Sequence, residues 1–142
     1  MREPLIPVII FSVFNSTRTE PANREFHNKI ADQFKIEGVQ YKELVGVHNG
    51  LPELALLVHT DYKDLVLGIA KLAGQESILL LDETRHGTLH YVTSVGVDLV
   101  LRVPVDLGQW TEINEEEAVK LGTFTYDPTV GKYYTFKQGV LV

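Results

Sequence analysis

The sequence predicts an α+β domain of ferredoxin-like order, β-α-β-β-α-β, followed by additional C-terminal β-hairpins. Three features carry that prediction. Short β-branched or aromatic runs alternate with apolar stripes at helical spacing. The dipeptide Asn49-Gly50 joins two apolar runs, a strong hairpin signal because both residues accept positive φ at little cost. Gly38 and Gly74 close the two helical stretches. A chain in this order builds an antiparallel four-stranded sheet with two helices on one face, leaving the sheet edges and the other face to be covered.

Val8 to Phe14 is too short for a buried helix and reads as a strand covered on both faces. Asn15 to Glu20 is a polar loop, and Pro21 suits the first position of a helix. Phe26, Ile30 and Phe34 then recur at spacing four, which predicts a helix from about Pro21 to Phe34. Tyr41 to His59 reads as strand, turn, strand, with Glu53 placed where the second strand begins.

Thr60 or Asp61 is the expected cap of a second helix with stripes Leu65, Ile69, Leu72 and Val66, Ala70, Ala73. Ser77 to Leu81 is another short buried strand. Further on, Thr88–Val92 and Val97–Val103 look like strands, the first pairing back after a His86-Gly87 turn. Trp110 sits in a polar stretch, Glu115–Lys120 reads as a short acidic helix, and Phe124–Tyr126 with Tyr133–Phe136 makes a terminal hairpin.

With 142 residues and no internal repeat, residues 1–142 read as one domain. A net charge of -6 argues against a phosphate-backbone binder, which needs a basic face. The absence of cysteine excludes disulfides and thiolate catalysis. The N-terminus lacks a long apolar core of signal-peptide type, and Val8–Phe14 falls far short of the roughly 20 residues a membrane helix needs. The expectation is a soluble cytoplasmic protein with no membrane and no nucleic-acid partner.

Motifs of known chemistry are scarce. No phosphate-cradling glycine loop and no G-x-S-x-G elbow is present. His86 and His90 have a helical metal-ligand spacing, but the glycine and strand-like residues between them argue against a metal site. Asp61 and Asp64 are explained as helix N-terminal charges. Glu53 is either punctuation at a strand end or a functional carboxylate, and the C-terminal tyrosines suit packing with a wet hydroxyl.

Several segments, in register, carry a resemblance: Ser12-Val-Phe14, Arg24 and His27, Leu44-x-Gly46 and Glu53. They continue with Leu67-x-x-Ala70-Lys-Leu-Ala73, Gln75 opening an apolar strand, His86, Tyr91 and Gly122-x-Phe124. Over nearly the whole chain these resemble the small S-adenosylmethionine-degrading enzymes of tailed bacteriophages, first called hydrolases and now understood as lyases. Pro52-Glu53 here replaces what can be two acidic residues.

The resemblance implies homotrimers of ferredoxin-like subunits, similar to PII signalling proteins, with S-adenosylmethionine bound between subunits, no cofactor, and the exposed sheet face covered by assembly. It also implies intramolecular attack of the substrate carboxylate on its γ-carbon, giving L-homoserine lactone and 5′-methylthioadenosine and depleting a host's methyl donor. Glu53 is then the catalytic carboxylate that holds the α-ammonium, with Gln75, Tyr41 and Tyr91 as substrate-binding candidates at the adenine. Attack by water to give homoserine is the alternative outcome. The alternative functions are a PII-like nucleotide-binding or regulatory module without turnover, and a structural protein.

Overall fold

The computed structural model describes residues 6–75, 77–95, 98–101 and 105–137. Strand β1 (Val8–Phe11) is buried along its length, and helix α1 (Glu20–Glu37) follows it. The Thr19 side chain accepts the Ala22 N–H at the start of α1, and Gly38, at φ 73°, ends it. The helix therefore begins and finishes slightly outside the limits expected from Pro21 and Phe34. Its inward line is Asn23, His27, Ala31 and Phe34, so two polar side chains sit on the face packed against the sheet.

Strands β2 (Tyr41–His48) and β3 (Leu51–His59) form the expected hairpin, with Asn49 and Gly50 at φ 50° and 80°. Their register places Gly46 opposite Glu53. Helix α2 (Lys63–Ala73) follows a single 3₁₀ turn over Thr60–Tyr62. Neither Thr60 nor Asp61 caps α2. His59 Nδ1 accepts the Asp61 N–H and caps the turn instead. Val66, Ile69, Ala70 and Ala73 are buried, while Leu72 is 76% exposed, so the Val66, Ala70, Ala73 stripe faces the sheet whole and the other only through Ile69.

Strand β4 (Ser77–Leu81) leads to β5 (His86–Val95), β6 (Asp98–Leu101) and β7 (Val105–Ile113). The turn before β5 lies at Asp82–Arg85, where Arg85 has φ 64°, and His86-Gly87 belongs to the strand itself. Residues 97, 102 and 103 of the expected strand Val97–Val103 lie outside the described residues. Trp110, expected in a polar connection, is in the middle of β7. Helix α3 (Glu115–Leu121) and the hairpin of β8 (Phe124–Asp127) and β9 (Lys132–Lys137) complete the chain.

The first four strands lie side by side in the order β4-β1-β3-β2, every neighbour antiparallel. The open sandwich expected from the element order is corrected at this point. Strand β2 pairs with β8, then β9, β7 and β5 follow, and β5 pairs back onto β4. All described strands except β6, which pairs with the far half of β5, thus form one closed antiparallel barrel. Closure supplies every barrel strand with two hydrogen-bonded neighbours and so removes the exposed edges an open sheet would carry.

Two apolar layers result. Outside the barrel wall, Ile9, Phe11, Leu56 and Val58 pack against Phe34, Val66 and Ala70 of the helices. Inside it, Val8, Ile10, Leu44, Ala55 and Leu81 pack with Trp110 and Phe136. The sheet face opposite the helices is therefore covered within one chain by the C-terminal strands. Full burial of a Val, Leu, Ile or Phe side chain in these layers contributes about 1.5–3 kcal/mol.

Candidate active site

Alternation along β3 puts Glu53 on the same side as Ala55 and Leu57, at the mouth of the barrel. Ser12, just beyond β1, is on the same side as Val8 and Ile10. Its hydroxyl lies 3.0 Å from Glu53 Oε1 and 2.8 Å from the Leu54 carbonyl, so one proton faces two acceptors, and it accepts the Phe14 N–H at 3.1 Å. Ser12 thereby ties the end of β1 to the start of β3 at the half-buried carboxylate.

Glu53 borders a cleft of about 790 Å³ between the β2–β3 hairpin and the segment leading into α1. That volume lies within the roughly 300–1,000 Å³ of small-molecule sites. Phe14, Asn15, Arg18, Asn23 and Arg24 line it as well. The loop is rigidly tied: Asn15 N–H donates to Asn23 Oδ1, and Asn23 Nδ2 donates back to the Asn15 carbonyl. Arg18 donates from Nε to Asn23 Oδ1, from Nη1 to the Ala73 carbonyl and from Nη2 to the Val13 carbonyl. Its guanidinium lies 5.1 Å from the Phe26 ring centroid. The positive group thus caps the C-terminal, negative end of α2.

Gln75 donates from Nε2 to the Phe14 carbonyl and lines an adjoining space of about 340 Å³ that shares Phe14, Asn15 and Ser16 with the main cleft. Tyr91 is 39% exposed and pairs in register with Ser77, which lines that same space. Tyr41 is elsewhere. It packs on Phe34 and borders a third cavity of about 660 Å³. It lies five positions along β2 from Gly46 (46 minus 41), about 17 Å at the strand rise. The structure therefore groups Glu53 with the Gln75 region and separates Tyr41 from both.

Residues not singled out from sequence as ligand contacts complete the cleft, chiefly Arg18 and Asn23, with Ser12 supporting Glu53 from behind. The signal available for Asn23 was its place one helical turn before His27. His27 is 1% exposed, donates from Nε2 to Glu43 Oε1 at 3.2 Å, and meets the Phe14 ring edge-on. Its Nδ1 has no hydrogen-bond partner among the described residues.

His86 and His90 both lie on β5. His86 pairs with Asp106, and His90 lies 2.9 Å from Thr88 Oγ1. Burial and the nearby Lys63 hold the His90 imidazole below its usual pKa. Among the described residues no group of three potential metal ligands occurs, and no helix is long and apolar enough to cross a membrane.

A family model described as the S-Adenosylmethionine lyase family matches residues 9–137, spanning every element from β1 to β9. No curated protein matches the chain.

Proposed function

The chain belongs to the S-adenosylmethionine lyase family, and on that footing we propose that it degrades S-adenosylmethionine by making the substrate attack itself. A carboxylate oxygen of the methionyl group forms a bond to Cγ while the Cγ–S bond breaks. The bonding pair stays on sulfur, which becomes a neutral thioether. The products are L-homoserine lactone and 5′-methylthioadenosine, and no proton has to be transferred.

The observation that carries this reading is Glu53, held by Ser12 at the border of a cleft of ligand size. A lone carboxylate suits the chemistry. It holds the α-ammonium and leaves the substrate carboxylate free, so the enzyme's main task is to fold the methionyl chain into the attack geometry. Orientation of that kind reaches effective molarities of roughly 10⁵ M or more. The sulfonium loses its charge on leaving, so no general acid is needed at sulfur, and a site of low polarity favours the neutralising step.

In this reading Gln75 and Tyr91 contact the adenine from the adjoining space. Tyr41 contributes only across a subunit boundary, from a neighbour in a PII-like trimer. That trimer is not required to cover the sheet, since the barrel closes within the chain, and its role here is to complete the site. Removal of the methyl donor from a host cell, and so protection from restriction, is the biological consequence we assign.

The test is incubation of purified protein with S-adenosylmethionine, with chromatography for 5′-methylthioadenosine. Glu53→Gln is expected to fold like the wild type and lose most turnover. Initial-rate product analysis in labelled water separates lactone formation from attack by water. Stable S-adenosylmethionine on long incubation with binding retained favours a PII-like module without turnover, and light scattering reads the assembly state.

A further inference from the structure

Glu53 forms part of the wall between two cavities. On the helix side is the large cleft, and on the barrel side is a smaller space of about 220 Å³. Four aromatic side chains line that smaller space: Trp110, Phe124, Tyr134 and Phe136. Gly46, opposite Glu53 in register, adds no side chain to fill it. Among the described residues no lysine or arginine lines it, Glu53 is its one acidic residue, and His48 and three threonines complete the polar part of the lining.

The rings are fixed in place. Trp110 stacks on Tyr134 with centroids 5.1 Å apart and planes 13° from parallel, and meets Phe136 edge-on, also at 5.1 Å. Phe136 in turn lies over Gly87, where an added Cβ would come within 2.1 Å of the ring. A rigid aromatic wall beside one carboxylate, with no lysine or arginine at it, is the chemistry of a receptor for an organic cation. The scarcity of hydrogen-bonding groups on the rings suits a trialkylated centre, which has no N–H to satisfy.

We infer that the cavity of Trp110, Tyr134 and Phe136 beside Glu53 is the subsite for the substrate's trialkylsulfonium centre, selecting the charged substrate over a neutral thioether. This rests on the substrate reading above: if Glu53 holds the α-ammonium, the sulfur is only three carbons further along the methionyl chain. A kinetic consequence follows. Sulfur loses its charge as the Cγ–S bond breaks, so attraction to the rings is stronger for bound substrate than for the transition state. The subsite therefore lowers KM without raising kcat, and it holds the thioether product weakly.

Trp110 is the only tryptophan in the chain, so its fluorescence reports this cavity alone. Wild-type protein is titrated with trimethylsulfonium chloride and, separately, with tert-butanol, a neutral molecule of similar size. A saturable change with the sulfonium and none with tert-butanol is expected. In turnover assays Trp110→Phe and Phe136→Leu are expected to raise KM for S-adenosylmethionine roughly 3- to 30-fold with kcat retained.

A blind probe with unchanged KM in both variants overturns the inference, as does a fall in kcat at constant KM. If Trp110→Phe does not fold, the wild-type titration and Phe136→Leu decide. The two readings fail separately. Turnover with a blind probe removes the aromatic subsite alone, whereas a saturable sulfonium signal without turnover removes the proposed reaction and leaves a cation site.

Discussion

Ser12 Oγ and Glu53 Oε1 stand 3.0 Å apart although 41 positions separate the two residues in the chain. The contact joins the end of β1 to the start of β3, and it is the one side-chain hydrogen bond made to the Glu53 carboxylate among the described residues. Ser12→Ala removes it and also leaves the Phe14 N–H without its acceptor. A net loss of about 1 kcal/mol in stability is expected from urea unfolding. Turnover should fall roughly tenfold as the carboxylate loses its fixed position. Ser12→Thr keeps the hydroxyl and should restore most of both. Equal loss in the Ala and Thr variants would show that the hydroxyl does not position Glu53.

Much of the local structure was legible because its causes are local. Asn49-Gly50 specifies the hairpin, and the left-handed conformations of Gly38 and Gly74 terminate the two helices. The closed barrel was not legible, because it depends on pairings such as Val47 with Phe124 and His86 with Gln109, which no local pattern encodes. β7 was missed for the same reason. Asp106, Gly108, Gln109 and Thr111 read as a polar connection, and the segment is a strand because β5 and β9 flank it. At the site, Glu53 was visible from its place after the turn, whereas the Arg18–Asn23 clamp joins a loop to the distant end of α2 and leaves no periodic trace.

Arg18 is expected to be a rigidity determinant of the cleft rather than a free surface charge. Its three donor groups reach Asn23, Ala73 and Val13, a fork that a single ammonium cannot reproduce. Arg18→Lys should therefore behave nearly like Arg18→Met. Both should increase amide hydrogen exchange in Asn15–Arg18 and at the end of α2, with a stability loss of about 2 kcal/mol for a half-buried charged donor. Wild-type exchange in the Lys variant would show that charge alone is sufficient.

The turn between β4 and β5 should carry a pH-dependent share of stability. Burial pulls the Asp82 carboxyl upward, but N–H groups of His86 and Thr84 and the Thr84 hydroxyl outweigh it, leaving the group below its ordinary 3.8. A depressed carboxyl stabilises the folded state above its unfolded pKa and loses that contribution as pH falls through the folded value. Asp82→Ala should therefore cost about 1 kcal/mol at neutral pH, and the difference from wild type should shrink at pH below 3.8. A destabilisation equal at both pH values would assign the effect to the loss of contacts that do not depend on charge.

Gly87 should be irreplaceable for a steric reason that reaches the aromatic cavity. It is buried in β5, pairs with Leu81 on one side and Gly108 on the other, and has the Phe136 ring directly over its Cα. In Gly87→Ala the new methyl would lie 2.1 Å from Phe136 Cε1 and 2.8 Å from Cζ, so the ring must move. Overpacking of this kind costs about 1–3 kcal/mol. The ring's displacement also removes its edge contact with Trp110, so the tryptophan emission should shift while the far-ultraviolet circular dichroism stays like wild type. Adding Phe136→Leu to Gly87→Ala makes room for the methyl, and the double variant should be less destabilised than the two single effects summed. Simple additivity would mean that Gly87 is needed for the backbone of the β-bulge beside it, where the β5–β7 register shifts between Gly87 and Thr88, and not for the ring above it.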